Sequence, residues 1–411
     1  MPEHPAADPY LEILTAEDPA PIVHRLRAED PVHYVPAFGF WFITRHDDVK
    51  RLFHDPENVT PDRRAWEGYE PRPEGSMLRW ADDAGPMALV PEAHTRIRRL
   101  VAFAFTPRAV RRMEEQIREV VERFAAPLRG RAGEILDLLS ELTNPVPIAV
   151  ISRLTGVPPA GDDEARFREL AQSIIRAFFP FTTPEAVREA EAGLGALAAW
   201  VREMAAERRR APREDLVSDL VRACDRDERL SDDEIVLLLT GILGAGSETT
   251  ALGGLVLIDT VLKHPEEMKR VRDDRSHVPR AVNEVLRFAL GGPAGVTRYA
   301  VRNFTLRGRE ISKGQMLMLS FAGANRDPAV YDDPDIFDLD RDAGDLLVFG
   351  NGPHYCLGAN LARVELGSML DAVLEIAPPG SRVRDELRRF QAMGLYKRPL
   401  NFPVEIAGGA R

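Results

Sequence analysis

Apolar residues recur at helical spacing through most of the chain after residue 91. Val110, Met113, Ile117, Val120, Val121 and Phe124 fall on one face of a helix predicted over 107–128. Thr106 suits its N-cap, and Pro107 suits the first helical position, where a missing N–H costs nothing. Similar patterns predict helices over 91–105, 148–154, 164–178, 185–209, 215–224 and 357–375. The N-terminal part reads differently. Two β-rich runs in 31–44 flank Pro36-Ala37-Phe38-Gly39 and predict a hairpin, followed by a short helix over 47–55. Residues 59–85 mix proline, glycine, charge and two tryptophans, and are expected to form a long irregular loop. Beyond 290 the pattern breaks into short strands over 296–301, 304–306, around Ile311 and over 316–319, with a β-like tail over 395–406. The expected class is mainly α with minor β.

The longest predicted element starts at a capping box, Ser231 at N-cap with Glu234 three residues on, and ends before Pro265. That leaves about 33 residues of helix, roughly 50 Å at 1.5 Å per residue. From 235 to 262 it is apolar nearly all round, so it is either the core of a large protein or a membrane span. Glu248 sits in its middle, and a carboxylate there costs about 2.5–3.5 kcal/mol in a bilayer, which favours a soluble core. Five glycines, Gly241, Gly244, Gly246, Gly253 and Gly254, interrupt it, each at a cost of up to about 1 kcal/mol relative to alanine. Gly253 and Gly254 fit close packing against neighbours. Residues 245–250, Ala-Gly-Ser-Glu-Thr-Thr, instead place a buried acid beside hydroxyls where the helix is locally open, which suits proton delivery.

Composition narrows the function classes. The chain has 411 residues and a formal net charge of −11, which disfavours nucleic-acid binding. No Gly/Ser linker or repeat divides it, so 1–411 reads as a single domain. Two cysteines argue against a disulfide scaffold and for a reducing compartment. The start, Met1-Pro2-Glu3-His4-Pro5, lacks the basic and apolar blocks of a signal peptide. The expectation is a cytoplasmic protein without membrane attachment.

One cysteine stands in a distinctive setting. Residues 349–358 read Phe-Gly-Asn-Gly-Pro-His-Tyr-Cys-Leu-Gly, between an apolar run at 346–349 and a helical pattern from 359. Glycines this dense let the backbone turn tightly and approach something flat and bulky. A cysteine just ahead of a helix start is a candidate thiolate, and hence a soft anionic metal ligand. A small buried hydrophobe is the plain alternative. Zinc on His354 and Cys356 is another, although zinc wants further ligands.

The pattern F-G-x-G-x-H-x-C-x-G resembles the haem-binding loop of the haem-thiolate monooxygenases, the cytochromes P450, at every fixed position. The resemblance implies haem b with Cys356 as the axial thiolate, whose electron donation favours O–O cleavage. It implies Phe349, Gly350, His354 and Gly358 as further haem contacts. Further stretches match in family order. Ala245-Gly246-Ser247-Glu248-Thr249 resembles the oxygen-activation motif, with Glu248 and Thr249 as acid and alcohol of a proton relay and Ala245 beside the haem. Glu284 and Arg287 match E-x-x-R, with Arg341 as the third member of a structural triad. His94 and Arg98 match H-x-x-x-R, and with Arg298 and His354 they become candidate haem-propionate contacts.

The implied fold is the family's triangular prism with the long helix over the haem. The implied reaction is hydroxylation or epoxidation with dioxygen, one oxygen atom entering the substrate and the other leaving as water. Electrons would come from a separate ferredoxin or flavodoxin with its reductase, since two cysteines cannot hold a four-cysteine cluster. Arg96, Arg99, Arg111, Arg112 and Arg363 form the candidate docking patch. By family position the substrate pocket takes Met77, Leu78 and Trp80; Phe178 and Phe179; Gly241 and Gly244; Ala294, Gly295 and Val296; and Met393 and Leu395. The small side chains among them leave room for a bulky apolar molecule such as a steroid, terpenoid or macrolide. A peroxide-using or coupling haem-thiolate enzyme and a non-catalytic haem ligand-binding protein are the alternatives.

Overall fold

Unbroken burial along two strands, Phe40–Ile43 and Met316–Ser320, fixes the architecture around the hairpin. In the computed structural model, which describes residues 8–16, 18–85, 91–156, 166–167, 169–170, 173–174, 183–227, 231–289, 295–393 and 396–408, the chain forms two compact units. One comprises Met1–Pro71 and Asn283–Cys356, the other Arg72–Val282 and Leu357–Arg411.

The first unit is built on a five-stranded sheet. Val32–Val35 pairs antiparallel with Phe40–Ile43, in register Val32↔Ile43 to Val35↔Phe40. Phe40–Ile43 pairs parallel with Met316–Ser320, which pairs antiparallel with Gly295–Ala300, and Val59–Thr60 closes the edge. Every residue of Phe40–Ile43 and of Met316–Ser320 is buried. Their unbroken apolar runs are what a strand covered on both faces needs. Val49, Leu52 and Phe53 from the helix His46–Phe53 pack on this sheet with Leu317, Leu319 and Leu347. Leu347 belongs to the apolar lead-in of the cysteine loop, so the core anchors that loop.

In the same unit Glu284 and Arg287 form a bidentate pair, with Nη2–Oε1 at 2.7 Å and Nε–Oε2 at 2.8 Å. Arg341 Nε donates to the same Oε1 at 3.2 Å. Arg287 is fully buried and also donates to the carbonyl oxygens of Asn325 and Pro334. The three residues that match the family's structural triad therefore meet, and they pin the 332–341 segment through its backbone.

The second unit is helical. Its centre is Asp232–Lys263, 32 residues long, with the capping box formed in both directions. It passes the length and hydropathy test for a membrane span, yet two thirds of its most apolar window is buried in the protein. Helices Pro145–Thr155, Pro184–Arg210 and Ala359–Ile376 pack around it. Ile235, Leu239, Leu243 and Ile258 are fully buried, each worth about 1.5–3 kcal/mol relative to exposure. The glycine expectation holds at Gly254, where a Cβ would come 3.0 Å from Thr143 Cγ2 and 3.3 Å from Met369 Cε. Two small β elements flank the helices. Ile135–Asp137, Pro403–Glu405 and Arg382–Val383 form one, and the hairpin Phe390–Met393 with Tyr396–Pro399 forms the other.

Two differences from the sequence expectations stand out. Residues 59–85 are not wholly irregular: Met77–Ala84 is a helix, capped by Ser76, whose Oγ accepts from Arg79 N at 3.0 Å. Eight residues between proline- and glycine-rich flanks are too few for periodicity to register. Pro9–Thr15 and Ala20–Glu29 are helices that the pattern did not predict. The helix expected over 164–178 falls largely outside the described residues.

Candidate active site

The cysteine loop is closed by its own backbone. Gly350 N donates to Leu347 O at 2.8 Å, Tyr355 N to Gly352 O at 3.0 Å, and Cys356 N to Phe349 O at 2.8 Å. Gly350 and Gly352 lie at φ +71° and +70°, a region that glycine alone enters without strain. A Cβ at Gly352 would also come 2.9 Å from Phe53 O. This loop ends on Cys356, an exposed cysteine outside any disulfide. Exposure removes the reading of a small buried hydrophobe. Among the described residues no group of three or more His, Cys, Asp or Glu could hold a metal, which leaves the zinc reading without its ligands.

Arg298 lies in Gly295–Ala300 of the same unit and is only 3% exposed. Its Nη1 donates to Thr297 O at 2.9 Å, and its guanidinium sits 4.9 Å from the centre of the Phe53 ring. Burial pushes its pKa down to about 10, which still leaves it charged at neutral pH. Among the described residues no carboxylate lies within ion-pair reach of it. A buried cation without an anion is costly, and the donor set fits a carboxylate that arrives with a cofactor. This observation tests the haem expectation, and the residues present fit it. Phe53 was missed in the sequence. A Cβ at Gly350 would lie 3.6 Å from its ring edge, so one aromatic side chain touches both the cysteine loop and the buried guanidinium. His354 is half-buried in the loop's single helical turn, Gly352–His354.

The helical unit carries the other candidates. His94 is buried and Arg98 half-buried on one face of Pro91–Ala102. Burial first, and then the Arg98 charge, hold the His94 pKa below its ordinary value. The imidazole is therefore neutral at pH 7.

Along the central helix Gly241, Ala245 and Thr249 are exposed, a row at i, i+4, i+8 on a helix otherwise largely buried. Among the described residues, no atom outside Gly241's own stretch of helix lies within 4 Å of where its Cβ would stand. Thr249 Oγ1 donates to Ala245 O at 2.6 Å, which directs its lone pairs outward to accept a further hydrogen bond. Glu248, the next residue back, points to the buried side, where Arg398 Nε lies 3.0 Å from its Oε1. Arg398 was also missed in the sequence: nothing local marks a strand arginine as the partner of a residue 150 positions earlier.

The expected pocket residues divide. Gly241 lies on the open row, but Gly244 is buried off it, one helical step round. Leu78 is buried, and Met77 and Trp80 are half-buried. The amides of Met77 and Leu78 both donate to the Glu191 carboxylate, the Leu78 bond at 3.0 Å. The Arg202 guanidinium lies 5.4 Å over the Trp80 ring. A Cβ at Gly295 would meet Leu319 O at 1.8 Å, so that glycine is required by the sheet. Val296 packs on the first unit's core. Met393 ends the first strand of the C-terminal hairpin, opposite Tyr396. Phe178, Phe179, Ala294 and Leu395 lie outside the described residues. Of the arginines proposed for docking, Arg99, Arg111 and Arg112 are exposed, Arg363 is half-buried, and Arg96 is matched by Glu234.

Comparison with known proteins agrees with this geometry. The family model for cytochrome P450 matches residues 40–395, a span that takes in both units. The chain is 36% identical over 391 residues to nocardicin C N-oxygenase of Nocardia uniformis subsp. tsuyamanensis, covering 92% of this chain and 93% of the relative. It is 33% identical over 386 residues to mycinamicin IV hydroxylase/epoxidase of Micromonospora griseorubida, covering 92% and 93%. The crystal structure of epothilone D-bound cytochrome P450epoK superposes with a TM-score of 0.87 at 28% identity, covering 96% of this chain and 97% of that one.

Proposed function

From the premise that the chain belongs to the cytochrome P450 family, we propose that Cys356 is the axial ligand of its haem and that its substrate is a bulky, largely apolar small molecule. The protein is a monooxygenase with a cysteine-ligated haem. When bound, the haem supplies activation of dioxygen, at the expense of two electrons and two protons, with one oxygen atom entering the substrate and the other leaving as water.

The chain's own residues have distinct tasks in this reading. Phe349, Gly350, Gly352 and Gly358 shape the loop, and its internal hydrogen bonds fix the position of the sulfur. Arg298 gives a haem propionate the anion site that its burial prepares. His94, Arg98 and His354 are further propionate contacts, His94 as a neutral donor. Thr249 holds a hydrogen-bond acceptor on the open row, and Glu248 is the acid that replenishes the proton. Electrons come from a ferredoxin or flavodoxin with its reductase, docking at Arg99, Arg111, Arg112 and Arg363. The protein works in the cytoplasm.

The observation that carries the assignment is the exposed thiol at the end of a backbone-closed loop of the family pattern. The test is the spectrum of the reduced protein with carbon monoxide. The thiolate-ligated form gives a long-wavelength band, and Cys356→His removes it. Survival of that band in Cys356→His overturns the assignment. The substrate class rests on the exposed row Gly241, Ala245 and Thr249, on a relative named for mycinamicin IV and on a similar structure bound to epothilone D. Haem spin-state titrations with a macrolide, a steroid, a terpenoid and a medium-chain fatty acid decide it. Preference for the fatty acid overturns the bulky-substrate reading.

A further inference from the structure

We propose that Arg398 is a positioning residue for Glu248, holding the acid of the proton relay from a strand far away in the sequence. The proposal rests on the reading of Glu248 as that acid. Arg398 Nε lies 3.0 Å from Glu248 Oε1, with the two side chains only 13% and 9% exposed. An ion pair at that distance and depth is screened little by solvent, and a carboxylate in the middle of an apolar helix needs a cation or donors to be tolerated as an ion.

The arginine's own placement is built. Pro399 follows it and disfavours helical backbone at Arg398, which keeps the residue in the extended strand Tyr396–Pro399. Arg398 pairs across the hairpin with Gln391. The base of the hairpin is clamped by Asn401, whose Oδ1 accepts from Arg389 N at 2.7 Å and whose Nδ2 donates to Leu387 O at 3.0 Å. Leu400 N adds a bond to Arg389 O at 2.8 Å. As Arg388 and Asp259 do nearer the hairpin's base, the Arg398–Glu248 contact thus joins two fixed elements, the hairpin and the central helix. That contact sets the side on which the Glu248 carboxyl rests, while its neighbour Thr249 faces the open row. The side-chain entropy of a mid-helix glutamate would otherwise spread the acid over several rotamers, and a displaced proton donor is slow.

The experiment uses the haem-loaded protein with a surrogate ferredoxin and reductase, and dioxygen as the only acceptor. NADH consumption, hydrogen peroxide formed per NADH and the solvent deuterium isotope effect are measured for wild type, Glu248→Gln, Arg398→Gln, Arg398→Lys and the double variant Glu248→Gln/Arg398→Gln. Glu248→Gln is expected to slow NADH consumption by roughly 10²-fold, the general range for losing an acid catalyst. Arg398→Gln is expected to slow it by about tenfold, the order of cost for a misplaced group, with a larger isotope effect. Arg398→Lys recovers part of the loss, and Arg398→Gln adds nothing in the Glu248→Gln background. Thermal unfolding gives a readout apart from turnover: the double variant melts no lower than the less stable single variant, as a shared contact requires. If Glu248→Gln slows consumption but Arg398→Gln keeps the wild-type rate and isotope effect, the role of Arg398 fails and the relay stands. If Glu248→Gln leaves both unchanged, the reading of the relay itself fails, whatever Arg398 does to the melting temperature. If Arg398→Gln does not fold, Arg398→Lys carries the comparison, and a wild-type rate and isotope effect in it overturn the proposal.

Discussion

The guanidinium of Arg298 sits 4.9 Å from the centre of the Phe53 ring, and the edge of that ring borders Gly350 in the cysteine loop. A cation on an aromatic face recovers about 0.5–2 kcal/mol, well short of the several kcal/mol that burying a charge costs. The remainder is available to a bound anion. Replacing Arg298 with methionine is therefore expected to leave the haem-free protein as stable as wild type or slightly more so. The same change speeds haem loss by about tenfold or more, the equivalent of the 1.5–3 kcal/mol carried by a hydrogen bond to a charged group. Haem transfer to an excess of a scavenging apoprotein measures the rate. Equal rates for the two proteins would remove Arg298 from the list of propionate contacts.

What was legible in the sequence follows the range of the interactions involved. The central helix was readable because its capping box and apolar run are local, and the structure places its start and end within a residue of the expectation. The hairpin 32–43 was readable for the same reason. The cysteine loop was readable because its glycines, histidine and cysteine crowd into ten positions. Phe53, Glu191 and Arg398 were not readable. Each acts through a contact to residues more than 100 positions away, and each is of a type that is ordinary where it stands. Phe53 is one more apolar position on an amphipathic helix. Arg398 reads as a solvated strand residue until Glu248 is set beside it.

Glu191 ties two elements that bear on substrate access. Its carboxylate accepts from the amides of Met77 and Leu78, at the start of the helix Met77–Ala84. Those amides are among the four that a helix N-terminus leaves unpaired, and a negative charge there also suits the helix dipole. Glu191→Ala is expected to cost the helix about 1 kcal/mol, as loss of an N-cap does. Hydrogen exchange at 77–80 should accelerate several-fold while the central helix is unchanged. Because Met77, Leu78 and Trp80 are proposed pocket residues, ligand-induced spin shifts should weaken in the same variant. Unchanged exchange at 77–80 would show that Ser76 alone suffices as the cap.

The buried triad makes a sharper stability prediction. Arg287 is fully buried with Glu284 as its bidentate partner, and Arg341 leans on the same carboxylate. Glu284→Ala removes the anion and strands two cations, a change that costs about 3–5 kcal/mol when one member of a buried pair is lost. For a domain with a total stability of about 5–15 kcal/mol, that means little soluble, haem-loaded protein. Arg341→Lys keeps a charge near Glu284 but loses the planar donors to Asp333 O and Ile336 O. It should fall between wild type and Glu284→Ala in melting temperature. A Glu284→Ala protein that melts like wild type would contradict this account.

Glu365 gives the pH dependence. It lies on Ala359–Ile376, packed between the central helix and Pro107–Ala125, and its Oε2 has no hydrogen-bond partner among the described residues. Burial alone raises its pKa well above the ordinary carboxyl value of 4.5. The sign follows from proton counting. Below the ordinary value both the folded and unfolded chains hold the proton, and the group costs nothing extra. Between the ordinary and the raised value the unfolded chain releases the proton while the folded protein keeps it, so stability falls as pH rises. Above the raised value the loss is complete and the slope ends. Glutamine, neutral at every pH and nearly the same shape, escapes this loss. Glu365→Gln should therefore melt close to wild type near pH 5 and progressively higher than wild type towards pH 8–9. The gain should grow steadily with pH across that range. Melting curves of the two haem-loaded proteins at five or six pH values decide the point. An offset that stays constant across that range would mean that Glu365 does not titrate differently in the folded and unfolded chains.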